Sequence, residues 1–338
     1  MANLAYSLCL RVAGRLFGET PDSMEHFSPL KSTPVSDEPS QLFRMRNLED
    51  VAMESKAGII IIVGNQKGGV VKSQSTNELT YNLQAMGLQT CMIDFDTTSG
   101  LTERTFPDAL PLSIDKDPLG NTFTPGEANA YQLFFPDTEV NPHVLPDGRH
   151  IIGSTNELHE INYRPQDCIF DFKERISELR KHYDYIFIDS APEYNNLLIA
   201  SHLVADYLLI PTLLEKSSRI GVGKQLSYMQ RIRKNYNPEL KYLGTYITQA
   251  NVQNYNQPLL DGYLTAVETE NLQRLFDILQ EKNYGPETVL AYISWVKNLA
   301  KEAIELGMTI KEYSPSSRPA QQYQELSNKI VELTQGGH

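Results

Sequence analysis

The stretch Lys67-Gly68-Gly69-Val70-Val71-Lys72-Ser73 constrains this chain more than any other. The apolar run Ile59 to Val63 precedes it and reads as a buried strand, and Gln74 to Met86 follows and reads as a helix. A glycine loop between a strand end and a helix start points several backbone N–H groups at one place, where the helix dipole adds positive potential. That is a cradle for phosphate. Lys72 can reach its outer oxygens, and the Ser73 hydroxyl can ligate Mg²⁺. The common form of this loop, G-x-x-x-x-G-K-[ST], would place glycine at 66 and 71. Gln66 and Val71 stand there instead, with an extra lysine at 67. Val71 is the awkward residue, because a β-branched side chain suits positive φ poorly. Taken alone, the loop could also be an ordinary glycine turn of an α/β protein.

A chain of 338 residues with 41% hydrophobic content can build one large core or two small ones. Its net charge of −12 argues against a constitutive nucleic-acid binder, which needs clustered Lys and Arg, while leaving room for a local basic patch. Cys9, Cys91 and Cys168 are scattered and form no C-x-x-C pair, which suggests neither zinc nor an iron–sulfur cluster and fits a reduced cytoplasm. No apolar run reaches the length of a membrane span. Residues 1–56 read as an N-terminal extension. Leu4, Leu8, Val12 and Leu16 outline an amphipathic helix over 3–17, and Pro21, Pro29, Pro34 and Pro39 mark a linker across 19–41. Residues 57–335 alternate apolar runs with helical patterns, which implies an α/β fold, a doubly wound, mostly parallel sheet with helices on both faces. The expected strands are 59–63, 90–94, 185–189, 207–211, 242–248 and 289–293. The expected helices are 73–86, 170–182, 195–204, 219–235, 268–283, 297–306 and 319–334.

Two further segments end in carboxylates. In Thr90-Cys91-Met92-Ile93-Asp94-Phe95-Asp96, strand alternation puts Asp94 at the strand end and Asp96 just beyond, on the same side. Such a pair can hold a Mg²⁺ water shell and orient an attacking water, or it can simply cap the next segment. Tyr185-Ile186-Phe187-Ile188-Asp189 is an apolar strand ending on a carboxylate that can bind Mg²⁺ through water. Two sets of cations are candidate nucleic-acid contacts, namely Arg231, Arg233 and Lys234 at a helix end, and Lys297 with Lys301. Each also fits a solvated helix face.

Lys67 to Ser73 matches K-G-G-x-x-K-[ST], the deviant Walker A box. With Asp94-Phe95-Asp96, Tyr183-Asp184-Tyr185-Ile186-Phe187-Ile188-Asp189-Ser190-Ala191-Pro192, Leu208 to Pro211, Leu243 to Thr248 and Glu302-Ala303 in order, the chain resembles the ParA/MinD family of ATPases, its ParA branch above all, across about residues 57–335. The resemblance implies a P-loop NTPase fold that uses ATP and Mg²⁺ at low turnover. It implies catalytic roles for Lys67, Lys72 and Asp96. It places Lys67, Gly68, Gly69, Val70, Val71, Lys72, Ser73, Gln74 and Pro211 on the nucleotide, and Ser73, Asp94 and Asp189 on the metal. It further implies an ATP-driven homodimer in which Lys67 reaches the partner's nucleotide, non-specific DNA binding, a ParB-like adaptor that stimulates hydrolysis, and a role in DNA partition or cargo positioning. This chain departs from the family at Thr97-Thr98, where Pro-Gln is usual, and at Gln249 to Tyr255, which carries no cation. Asn328 to His338 carries only Lys329, which argues against a MinD-like membrane helix. The alternative function is a nucleotide-responsive scaffold or regulator with little turnover.

Overall fold

The computed structural model describes residues 57–105, 129–136, 138, 140–250, 264–296 and 298–336. The helix and linker expected within 1–56 lie outside the described residues. The chain runs β1 (Ile59–Val63), α1 (Lys72–Ala85), β2 (Thr90–Phe95), α2 (Gly100–Thr105), β3 (His143–Val144), β4 (His150–Ile152), α3 (Cys168–Leu179), β5 (Tyr185–Ser190), α4 (Asn196–Val204), β6 (Tyr207–Thr212), α5 (Lys216–Asn235), β7 (Lys241–Ala250), α6 (Ala266–Glu281), β8 (Val289–Ser294), α7 (Leu299–Glu305), α8 (Ile310–Tyr313) and α9 (Arg318–Gln335). One eight-stranded sheet has the order β3-β4-β2-β5-β1-β6-β7-β8. All its neighbours are parallel except β3 and β4.

Helices cover both faces, which is why the central strands read as solid apolar runs rather than alternating ones. Ile60 and Ile62 of β1 pack with residues of α3, α4, α5 and α6, whereas Ile61 and Val63 pack with α1, α7, α8 and α9. Each such isoleucine, fully buried, contributes about 1.5–3 kcal/mol. Phe95, Phe134 and Phe172 stack beside β2, the last two with ring centroids 4.8 Å apart.

The six expected strands and seven expected helices are present, with ends moved by a few residues. Helix 170–182 is α3 plus a short 3₁₀ turn at Arg180–His182. β3, β4, α2, α8 and the 3₁₀ segments Ala130–Phe134 and Asn156–Tyr163 fall where no element was expected. β1 lies between β5 and β6, and the chain leaves it first toward β2 and later toward β6. In doubly wound sheets a crevice for ligands opens beyond the carboxyl ends of the strands at such a reversal.

Candidate active site

The loop after β1 is tied down at both shoulders. Asn65, only 1% exposed, donates from Nδ2 to the Pro211 carbonyl at 2.8 Å and accepts the Lys67 N–H at 3.0 Å. The Thr248 hydroxyl lies 3.3 Å from the carbonyls of both Val70 and Thr212. The ends of β6 and β7 therefore hold the loop against the start of α1. Between these anchors Gly69 takes φ 78° and Val71 takes φ 69°, ψ 30°. Valine thus occupies a left-handed conformation that glycine would adopt freely, and the first bond of α1 forms regardless, from Ser75 N–H to the Val71 carbonyl at 3.0 Å.

A cleft of about 770 Å³ opens over the loop. A Cβ on Gly68 or Gly69 would meet no atom within 4 Å, so their backbone faces open space. Lys72, Ser73, Gln74 and Asp96 line the cleft, and Lys72 is only 6% exposed. Pro211 is buried and does not line the cleft; its carbonyl anchors the loop through Asn65.

The parallel register pairs Asp94 directly with Asp189 across β2 and β5, and both are fully buried. Their carboxylates have different surroundings. Asp94 accepts the Asp96 N–H at 3.0 Å, and the N–H and hydroxyl of Thr102 at 2.9 and 2.7 Å. Both oxygens of Asp189 lack a hydrogen-bond partner among the described residues. Burial pushes both carboxyls above their ordinary range. For Asp189 the Asp94 charge adds to the rise, while Lys72 and the Ser73 hydroxyl pull the other way, the latter without reaching hydrogen-bond geometry. An orphaned buried carboxylate beside another carboxylate is the setting a bound cation resolves. Mg²⁺ fits, since it takes one or two protein oxygens and completes its shell with water and substrate phosphate. Among the described residues no three His, Cys, Asp or Glu side chains converge as a metal cage. Of the three expected metal residues, Asp189 and Ser73 have oxygens that could reach an ion, while both Asp94 oxygens also hold the turn into α2.

Asp96 lies past the strand end and is half-buried. One of its oxygens accepts both the N–H and the hydroxyl of Thr98, at 3.0 and 2.7 Å. Lys67 is also half-buried. It lies near Glu215, whose carboxyl is held below its usual range first by the Ser217 and Ser218 hydroxyls and then by this lysine. The four candidate DNA contacts among the described residues do not assemble into one patch. Lys301 is exposed on α7 and lines the cleft. Arg231, Arg233 and Lys234 are exposed at the end of α5, which leads into the start of β7, so they lie at the opposite end of the sheet. Lys297 lies outside the described residues.

Three cleft-related residues escaped the sequence reading: Asn65, Arg104 and Trp295. Asn65 gave a faint signal as a polar residue two positions past a five-residue apolar run. Trp295, 55% exposed at the cleft edge, follows the expected strand 289–293. Arg104 lies in a short polar segment, Thr102 to Thr105, to which no element or role was assigned.

Comparisons with known proteins bear on the fold and the family. The family model described as an AAA domain matches residues 58–242, more than half of the chain. The chromosome-partitioning ATPase Soj of Thermus thermophilus is 25% identical over 280 residues, covering 81% of this chain and 96% of that protein. Cobyrinic acid a,c-diamide synthase of Mycobacterium smegmatis, solved with bound ADP and magnesium, superposes with a TM-score of 0.61 at 21% identity, covering 83% of this chain and 97% of that one. McdA of Cyanothece, solved with ATP as a variant, gives a TM-score of 0.62 at 16% identity, covering 83% and 97%. Those two structures share the fold. The length of the domain match, together with partition ATPases among the sequence relatives, settles membership: the chain belongs to the ParA/MinD family of ATPases.

Proposed function

We propose that this chain binds and slowly hydrolyses ATP with Mg²⁺, dimerises when ATP is bound, and acts in DNA partition or the positioning of an intracellular cargo in the cytoplasm. The observation that carries this reading is the open cradle over Gly68 and Gly69, lined by Lys72 and Ser73, with the buried Asp189 carboxylate, its oxygens without a partner among the described residues, lying close to both. The loop N–H groups and the Lys72 ammonium bind phosphate oxygens at the start of α1, where the helix dipole adds to them. Ser73 and Asp189 would hold Mg²⁺, which supplies neutralising charge for the phosphates. Asp94 keeps the turn into α2 in place through Thr102. Asp96 orients the attacking water with the carboxylate oxygen that Thr98 leaves free, while Thr98 holds the other oxygen in place.

Lys67 is the residue proposed to cross to a partner's nucleotide. In the single chain its charge acts weakly on the Glu215 carboxylate, an interaction that dimerisation would exchange for phosphate. A ParB-like adaptor is the proposed stimulator, by analogy with the partition ATPases among the relatives. Non-specific DNA is the proposed surface for the dimer. A chain of net charge −12 needs paired cations to hold it, and Lys301 is on the cleft side where two copies would meet. The left-handed Val71 and Thr97-Thr98 in place of the usual Pro-Gln favour a second reading, a nucleotide-responsive scaffold with little turnover. Phosphate release measured with and without DNA separates the two.

Calorimetry with ATP and Mg²⁺ tests the core proposal. Wild-type protein should bind, and Lys72→Ala should lose binding. Equal affinity in that variant removes the loop from the site.

A further inference from the structure

Arg104 is a cation at the cleft that neither the motifs nor the proposed mechanism uses. It sits near the end of α2, the short helix that Asp94 pins through Thr102. The start of α2 presses against the phosphate loop, since a Cβ on Gly100 would lie 3.2 Å from the Ser73 hydroxyl oxygen. The Arg104 side chain lines the same cleft as Ser73, Asp96 and Lys72. Its Nε and Nη1 atoms are buried and have no hydrogen-bond partner among the described residues. Asp189, Glu103 and Tyr323 act on the guanidinium by charge, yet burial outweighs them and lowers its pKa. Buried arginines normally satisfy their fork with carboxylates or carbonyls, because an unmade bond on a desolvated cation is strongly unfavourable. This one is held at the wall of an anion site with donors unused.

We propose that Arg104 is a cis-acting phosphate ligand whose free guanidinium donors close on the terminal phosphate of a bound nucleoside triphosphate. The terminal phosphate is favoured because Arg104 lies with Ser73, Asp189 and Asp96, the groups for the metal and the attacking water. A guanidinium fork matches the paired oxygens of a phosphoryl group and stays charged at any working pH. Arg104 would therefore discriminate ATP from ADP from within one subunit, independently of any lysine supplied by a partner copy. The assignment rests on the nucleotide reading above.

The experiment pairs a binding measurement with the stability of the nucleotide-free protein. Arg104→Met keeps the volume and removes the charge. Its affinity for ATP with Mg²⁺ should fall about 10- to 100-fold by calorimetry, the range for losing charge-assisted hydrogen bonds. ADP affinity should change by no more than about threefold, because the terminal phosphate is missing. Without nucleotide the variant should melt roughly 2–4 °C higher, since an unsatisfied buried cation has been replaced by an apolar side chain. Arg104→Gln should give the same ordering of ATP and ADP losses and serves if the methionine variant does not fold. ATP affinity within twofold of wild type, or a lower melting temperature without nucleotide, overturns the assignment and marks Arg104 as structural. Wild-type protein that binds ATP while the variant binds it equally well refutes this inference alone. Wild-type protein that binds neither nucleotide refutes the nucleotide reading as well.

Discussion

Val71 offers a direct reading of how the phosphate loop is held. Its φ of 69° and ψ of 30° lie in the left-handed region, which disfavours L-residues by about 1–2 kcal/mol and β-branched ones most. Replacing valine with glycine removes that strain, but it also removes partly buried apolar contacts and adds unfolded-state entropy of about 0.5–1 kcal/mol. The net change against wild type is therefore close to neutral and says little. Val71→Gly and Val71→Ala compared with each other say much more, because both lose the valine methyl groups. At an ordinary φ, alanine is the more stable of the two by about 0.5–1 kcal/mol. At φ 69°, alanine keeps the left-handed strain, so subtracting the entropy term leaves glycine ahead by roughly 0.5–1 kcal/mol. Urea unfolding with a common slope reads the difference as a shift in midpoint. Alanine equal to or more stable than glycine would show that position 71 is not left-handed in solution. The same geometry bears on function. With valine present the backbone already has the turn that glycine would give, so ATP affinity in Val71→Gly should rise by less than about tenfold.

Asp96→Ala should keep ATP binding and lose most phosphate release, because the side chain lies past the strand end on the cleft wall; wild-type turnover in that variant would move the water-orienting role elsewhere. Gly221→Ala should weaken ATP binding at least about tenfold, since its Cβ would fall 2.2 Å from Asn65 Oδ1 and displace the residue that anchors the loop to Pro211; unchanged affinity by calorimetry would show that this anchor is dispensable. Glu78 is buried in α1, accepts the Ile310 N–H, and burial raises its pKa from 4.5 to about 7. The folded state then binds a proton that the unfolded state releases, so stability falls as pH rises from about 4.5 through about 7, by on the order of 3 kcal/mol. Glu78→Gln should flatten that slope in urea unfolding, and an unaltered slope would rule Glu78 out as its source.

The parts of this fold legible in the sequence are those where burial on both faces writes a solid apolar run. Ile59 to Val63 and Tyr185 to Ile188 are central strands covered by helices on each side, and their lengths and ends could be read directly. β3 and β4 could not. His143 and Val144 are exposed at the sheet edge, and His150-Ile151-Ile152 carries only two consecutive apolar residues, so no periodicity builds up. The carboxylates show the same division. That Asp94 and Asp189 end strands is local information. Which of them is free for a cation depends on the β2–β5 register and on Thr102, whose N–H and hydroxyl occupy Asp94 from eight residues downstream. Arg104 was silent for the same reason, since an arginine in a short polar segment is ordinary until the fold buries two of its guanidinium nitrogens without partners among the described residues.

Val71 shows how a local rule is overruled. Propensity argues against a left-handed valine, and the prohibition would hold in an isolated turn. Here Asn65 fastens one shoulder of the loop to the end of β6, and Thr248 fastens the Val70 carbonyl on the other, next to the rigid start of α1. Tethers on both sides leave the backbone between them few paths, and a strain of about 1–2 kcal/mol is smaller than what breaking both anchors would lose. A conflict between residue type and backbone, maintained by buried hydrogen bonds on either side, is expected where a chain holds a loop ready for a ligand. The Asp189 oxygens and the Arg104 Nε and Nη1 donors express the same condition in electrostatic form, because two opposite charges lie near each other and neither finds a hydrogen-bond partner among the described residues.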